Sequence, residues 1–213
     1  MVTTRSASKA VSQAPNLWYH APDRATLYWF AISLPLVIWD SIYVLGRPYT
    51  MEGGFLNWPL YVPYILYGKT DYVYGWKAYN ERNGFTAAQG TLNVVETAMY
   101  LTYLYIYFGR GKPVGGILGG EKRVLQGRPA GLAALLAFSA AVMTLSKTVL
   151  YWANEYFSDF ANIGHNSWPD LITLWIIPNG AWLVLPTYII YVIGGEIIDG
   201  LAAASTGTNS KLE

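Results

Sequence analysis

Four stretches of the chain consist almost entirely of apolar residues, and polar connections separate them. They run over approximately residues 25–46, 87–108, 130–153 and 171–195. A helix needs about 20 apolar residues to cross the hydrocarbon core of a bilayer. The pattern therefore predicts an all-α membrane protein whose four transmembrane helices form a bundle.

The connection between the first two stretches, residues 47–86, contains a further apolar segment at residues 55–68. Pro59 and Pro63 interrupt this segment. It is short for a span, and non-helical backbone at membrane depth needs protein or water around it. We therefore expect a re-entrant or interfacial segment here rather than a fifth span.

The two ends of the chain are poor in large apolar residues. Residues 1–24 are mostly small and polar, and the last residues read LAAASTGTNSKLE. We expect a disordered N-terminal segment over residues 1–24, one membrane domain over residues 25–196 and a disordered tail over residues 197–213.

The composition supports a lipid environment, since 53% of the residues are hydrophobic and only 13% are charged. Soluble domains carry about 25% charged residues. Nine Trp and eighteen Tyr fit the aromatic belts of membrane interfaces. A net charge of +1 gives no reason to expect nucleic acid as a partner. The absence of cysteine excludes thiolate zinc sites, and two histidines make no metal site unless carboxylates join them. We expect no cofactor, because the proton transfer inferred below is redox-neutral. The expected partners are membrane lipid and a lipophilic small molecule; a homodimer stays open.

Three of the predicted spans contain an ionisable residue, namely Asp40, Glu96 and Lys147, and the fourth contains Asn179. A charge near the bilayer centre costs about 2.5–3.5 kcal/mol on insertion scales, so it normally faces the bundle interior. Counted along the helices, Asp40 and Glu96 lie roughly 9 and 13 Å from the same membrane surface. All four side chains therefore fall in one layer.

The residues that share helix faces with these four are aromatic and aliphatic, which predicts an enclosed cavity for a lipophilic molecule. Glu96, Asp40 and Lys147 are the candidate catalytic residues, since carboxyl groups can exchange protons with an apolar substrate. Alternatively, Lys147 is an internal strut paired with Asp40 or Glu96. In contrast, Lys69 and Asp71 in the connection are expected to be a solvated pair. The candidate substrate-binding residues are Asn179, Trp182, Trp175, Tyr100, Tyr43, Tyr151, Met99 and Thr97.

Three segments, NGAWLVLP from Asn179, TVLYWANE from Thr148 and VVET from Val94, resemble the emopamil-binding-protein (EXPERA) family. That family includes the sterol Δ8–Δ7 isomerase and the sigma-2 receptor. The resemblance implies a small helical bundle around a hydrophobic cavity in the endoplasmic reticulum membrane. It also implies that Asp40 and Glu96 are the family's two acids, and that Asn179 and Trp182 are cavity residues.

Four positions depart from the isomerase pattern, which makes this chain a divergent member. Leu36 and Met99 stand where the isomerase has His and Thr, Lys147 replaces a small residue, and Asp40 is shorter than the isomerase's Glu. We therefore expect a membrane isomerase or cyclase that acts on a different sterol- or terpenoid-like intermediate. Asp40 and Glu96 would exchange protons, Lys147 would set their charge state, and Asn179 with the two Trp residues would orient the substrate.

Two other functions stay open. The first is a non-catalytic sterol- or amine-binding protein like the sigma-2 receptor, although a cation at Lys147 disfavours an amine ligand. The second is a proton-coupled transporter, which the lack of a detectable internal repeat disfavours.

The short loops predict the orientation in the membrane. The loop after the second span carries five basic residues and the loop after the third carries none, so the positive-inside rule places the former loop and both termini in the cytoplasm. A glycosylation acceptor inserted near Asn162 should be modified, and one inserted near Gly116 should not. The opposite pattern would contradict this orientation.

Overall fold

The computed structural model describes residues 18–115 and 122–209, and the side chains of residues 206–209 lie outside the description. The protein is mostly helical. Its elements in chain order are β1 (Tyr19–His20), α1 (Arg24–Leu45), α2 (Pro63–Thr70), α3 (Trp76–Asn80), α4 (Phe85–Arg110), β2 (Lys112–Val114), β3 (Lys122–Gln126), α5 (Arg128–Phe157) and α6. Helix α6 is continuous through Trp168–Asp170, a π-helical segment Leu171–Ile176, and Ile177–Asn209.

Within the described residues, three helices are long and apolar enough to cross a membrane: Arg24–Leu45, Arg128–Phe157 and Trp168–Ser205. They coincide with the first, third and fourth predicted spans and are consistent with an integral membrane protein. The second predicted span forms the 26-residue helix α4, which is long enough to cross a membrane but is less apolar than these three helices. The segment predicted to be re-entrant or interfacial contains only turns and the eight-residue helix α2.

A strip of small residues on α5 lets the long helices approach closely. Helix α5 packs against both α4 and α6, and α4 also packs against α1. Small side chains at such interfaces allow the backbones to come near each other, which is the usual way that helices associate in membranes. The strip is fully buried and consists of Ala130, Ala133, Ala134, Ala137, Ala140 and Ala141.

Two local features set how the site helices begin and turn. Asp23 caps α1, its carboxylate accepting a hydrogen bond from the Thr26 N–H at 2.7 Å. The π-helical turn Leu171–Ile176 precedes Asn179 on α6. Such wide turns change which face of a helix the following residues occupy and are frequent at functional sites. They bring Asn179 next to the long connection.

The fold also contains a small antiparallel sheet with the strand order β1–β3–β2, so it is not purely α-helical as the sequence predicted. It closes one end of the molecule, where the buried His20 lies 2.6 Å from a carboxylate oxygen of Glu196 and 3.0 Å from the Tyr103 hydroxyl. The start of the described chain, strands β2 and β3, and the later part of α6 therefore lie at the same end.

Parts of the two segments that were expected to be disordered form regular secondary structure. Residues 18–20 and the beginning of α1 lie within the segment expected to be disordered, and residues 1–17 lie outside the described residues. Helix α6 continues through Asn209, whereas the sequence suggested a disordered tail from residue 197. Ala-rich sequence after Gly200 favours helix, which explains this extension.

Candidate functional site

Helices α4 and α5 are joined by a buried ion pair. The Lys147 ammonium nitrogen donates to both carboxylate oxygens of Glu96 at 2.9 Å, and the Thr144 hydroxyl donates to one of them at 2.8 Å. Glu96 is 3% exposed and Lys147 is 9% exposed. Removing one partner of such a pair leaves an uncompensated buried charge. The pair therefore locks the two helices at one relative height.

Asp40 on α1 is linked to this pair through Asn93. Lys147 also donates to the side-chain oxygen of Asn93, and the Asn93 amide donates to Asp40 Oδ2 over a long 3.4 Å. The Tyr64 hydroxyl donates to Asp40 Oδ1 at 2.7 Å. The half-buried Asp40 carboxyl group therefore accepts hydrogen bonds from neutral side chains.

Asp40, Asn93 and Lys147 line a partly open cavity of about 460 Å³. Its walls come from α1, α2, α4, α5 and α6. Several apolar lining residues, among them Leu36 and Leu66, are themselves exposed on the outer surface of the helices. The aromatic and amide residues that line it are Trp39, Tyr64, Tyr67, Tyr74, Gln89, Tyr151, Asn179 and Trp182. A mostly apolar wall with a few polar groups is the usual construction of a site for a lipophilic molecule.

Glu96 does not line this cavity. It faces a separate crevice of about 20 Å³ that it shares with Thr97, Tyr100 and Thr144. The prediction that all four polar residues line one enclosed cavity is therefore wrong in two respects: Glu96 lies behind Lys147, and the cavity is partly open. Pairing with Lys147 turns the Glu96 carboxylate away from the cavity.

The residues predicted to bind substrate divide into two groups. Tyr151, Asn179 and Trp182 line the large cavity, with the Asn179 amide 3.3 Å from the Tyr67 hydroxyl. The others lie elsewhere in this structure. Tyr43 stacks on Tyr64 with ring centroids 3.7 Å apart, Met99 packs against the helix core, Trp175 is buried behind the cavity, and Thr97 and Tyr100 line the small crevice.

Asp71 is the main residue that the sequence analysis misjudged, because it is fully buried rather than solvated. Its Oδ2 accepts hydrogen bonds from the Tyr151 hydroxyl and from Trp175 Nε1, the latter at 2.9 Å, and its Oδ1 accepts from the Val73 N–H at 3.1 Å. Burial raises the pKa of Asp71 to about 6, against the opposing effect of these hydrogen bonds. Lys69, its expected partner, is exposed.

The tyrosines of the connection were also missed. Tyr64, Tyr67 and Tyr74 form a cluster over the cavity, with the Tyr67 and Tyr74 rings 4.9 Å apart. The repeated Tyr in YILYGKTDYVY was the available signal, since aromatic rings this dense in a short connection need a surface to pack on. Helical periodicity could not reveal it, because most of the connection is not helical.

The charges around the cavity do not cancel. Lys147 (+1) and Glu96 (−1) neutralise each other, so Asp40, when it is ionised, is the charge without an ion-pair partner among the described residues that line the cavity. Aromatic faces around it add to the attraction for positive charge. The site therefore suits a lipophilic molecule that is cationic or becomes cationic.

Comparison with protein-family models, with characterised proteins and with solved structures finds no match for this chain. The fold and the cavity define a helical protein with three helices of membrane-spanning length and an acidic, aromatic-lined site. The resemblance to the emopamil-binding-protein family stays a prediction that rests on the sequence segments quoted above.

The ion pair predicts strong coupling between two substitutions. Glu96→Gln or Lys147→Met alone should destabilise the folded protein by about 3–5 kcal/mol, because each leaves one buried charge without its partner. The double variant should be clearly more stable than either single variant. Thermal unfolding in detergent micelles measures this, with Lys69→Met at an exposed position as control. Additive losses in the double variant would contradict the pairing.

Proposed function

We propose that this protein is a membrane isomerase or cyclase that performs proton-transfer chemistry on a lipophilic sterol- or terpenoid-like intermediate. The observation that carries the proposal is the position of Asp40, the carboxyl group among the described residues that lines an aromatic cavity. Its Oδ2 accepts a long hydrogen bond from Asn93 at 3.4 Å, and we propose that this carboxyl group holds a proton and releases it toward a bound molecule.

The proposed reaction begins with transfer of a proton from Asp40 to a carbon–carbon double bond of the substrate. The resulting carbocation is stabilised by the net negative charge of the site and by the surrounding aromatic rings, an effect worth roughly 2 kcal/mol where water is excluded. Loss of a proton from another carbon then gives the isomerised or cyclised product. No electrons are gained or lost, so the reaction is redox-neutral.

Lys147 and Glu96 hold the proton-transfer residue in place. Lys147 fixes Asn93, which in turn contacts Asp40. Glu96 was expected to exchange protons itself, but its position behind Lys147 favours a positioning role. Asn179 and Trp182 are proposed to orient the substrate, as both line the cavity.

We further propose that α4 is a fourth transmembrane helix and that the four long helices form one bundle. Its 26 residues extend about 39 Å, enough to cross a bilayer. The Glu96–Lys147 pair also holds it at the depth of α5, which is apolar enough to span. The proposed location is the endoplasmic reticulum membrane, with both termini cytoplasmic, in accord with the resemblance and the basic loop.

A second candidate function is non-catalytic binding of a sterol or a lipophilic amine. The sequence analysis disfavoured an amine ligand because of the positive charge of Lys147. The ion pair with Glu96 neutralises that charge and so favours amine binding. The two functions differ in a simple way: an enzyme releases a changed lipid, whereas a binding protein releases the same lipid.

Deuterium incorporation tests the proposal and does not require that the substrate be identified first. The protein in lipid nanodiscs is incubated in D₂O with a total lipid extract of its native cells, and mass spectrometry follows lipids that gain a single deuterium. We expect a labelled product with the wild type and a loss of roughly 10²- to 10⁴-fold with Asp40→Asn, the usual share of general acid catalysis.

Asp199→Asn, at an exposed position on α6, is the matched control and should retain the wild-type rate. A lipid that binds in the cavity and is recovered unlabelled would favour the binding protein. A labelled product made equally fast by Asp40→Asn would refute the role of Asp40.

A further inference from the structure

Asp71 is a buried carboxyl group to which the reaction described above assigns no role. It lies between α2 and α3, outside the cavity, and its hydrogen-bond partners in the described part of the chain are neutral: Tyr151, Trp175 and the Val73 N–H. A buried ionisable side chain without a cationic partner carries a desolvation penalty that an amide or apolar residue would avoid. Stability therefore does not explain why a carboxyl group, rather than an amide or an apolar side chain, is buried at this position.

Tyr151 connects Asp71 to the cavity. The tyrosine lines the cavity, and its hydroxyl donates to Asp71 on the opposite side. The same hydroxyl lies 3.3 Å from Trp175 Nε1 and interacts with the Tyr67 hydroxyl, which contacts Asn179. A tyrosine that lines a cavity and whose hydroxyl donates to a carboxylate can act as an activated base if that hydroxyl reaches the bound molecule.

Tyr64 and Asp40 repeat this arrangement at another part of the same cavity, with the Tyr64 hydroxyl 2.7 Å from Asp40. The difference is that Asp40 itself reaches the cavity, whereas Asp71 reaches it only through Tyr151. The cavity is therefore flanked by two carboxyl groups on different elements.

We propose that Tyr151 is the second proton-transfer residue of this site and that Asp71 is the positioning residue that takes up its proton. The inference rests on the proposed function. Moving a double bond or ending a cyclisation requires removal of a proton from a carbon other than the one protonated. Two separate groups can serve two separate carbons, which a single carboxyl group does only when both carbons lie within its reach.

The steps balance without any co-reactant. Asp40 gives its proton to the double bond and becomes a carboxylate. The carbocation then loses a proton from another carbon to the Tyr151 oxygen, while the phenolic proton of Tyr151 moves to Asp71. One proton has passed from Asp40 to Asp71, the lipid keeps its formula, and exchange with water restores both carboxyl groups.

Tyr151→Phe removes only the hydroxyl and so tests the proposal directly in the D₂O assay with the native lipid extract. We expect the labelled product to fall by at least about 100-fold. Protonation by Asp40 continues but is reversed by the same carboxylate, so the lipid stays bound and is recovered unconverted. The amount of bound lipid should therefore remain within about threefold of the wild type, whereas a structural defect would lower lipid binding and product formation together. Asp71→Asn should give the same split between retained binding and lost product, because the amide cannot accept the phenolic proton.

Thr86→Val is the matched control. The Thr86 hydroxyl donates to the Val73 carbonyl at 2.7 Å, so this variant loses a buried hydrogen bond to the same segment without touching the proton route. It should retain product formation within about threefold, less than one kcal/mol in barrier.

Equal activity of Tyr151→Phe and wild type would overturn the inference while leaving the proposed function intact. Equal losses of product in Tyr151→Phe and Thr86→Val, together with a loss of bound lipid, would overturn it as well by revealing a structural role. Wild-type protein that forms no labelled product would instead refute the proposed function and this inference with it.

Discussion

The ion pair between Lys147 and Glu96 is the interaction on which the site depends. Two charges at this depth are tolerated because each neutralises the other and because Thr144 and Asn93 satisfy further hydrogen bonds. The pair fixes the relative height of α4 and α5, and through Asn93 it reaches Asp40 on α1. Without it, a lysine cation would oppose any positive charge in the cavity.

The long connection between α1 and α4 supplies the second half of the site. Its tyrosines stack into a layer that begins at Tyr43 on α1 and continues through Tyr64 and Tyr74. This layer forms one wall of the cavity and places Asp71 behind Tyr151. Large, flat side chains give such a wall much buried area for little loss of conformational entropy, so a mostly non-helical segment is held in one arrangement.

The sequence predicted the long helices well and the cavity only in part. Apolar periodicity and length identify α1, α5 and α6, and the cost of buried charge correctly singles out Asp40, Glu96 and Lys147 as residues that face protein. The spacing of residues along a helix does not show which side chain on another helix each charged residue pairs with. Glu96 pairs with Lys147 and therefore lies behind it rather than in the cavity.

The connection could not be predicted in this way, because its contacts are between residues far apart in the chain. Asp71 meets Trp175 across 104 positions and Tyr151 across 80. No local sequence pattern indicates contacts between residues so far apart. Asp71 was therefore expected to be solvated although it is buried. The small sheet was missed for the same reason, since β1 pairs with a strand more than a hundred residues later.

Lys147 is neutralised by Glu96, so Asp40 gives the cavity a net negative charge whenever its carboxyl group is ionised. The most direct test of this claim compares dissociation constants for a lipophilic tertiary amine and for its uncharged carbon isostere, measured in nanodiscs with wild type, Asp40→Asn and Asp199→Asn. We predict that the wild type and Asp199→Asn prefer the amine by at least about tenfold, equivalent to 1.4 kcal/mol, and that Asp40→Asn loses this preference. A wild type that prefers the neutral isostere, or an Asp40→Asn variant with an unchanged preference for the amine, would contradict the claim.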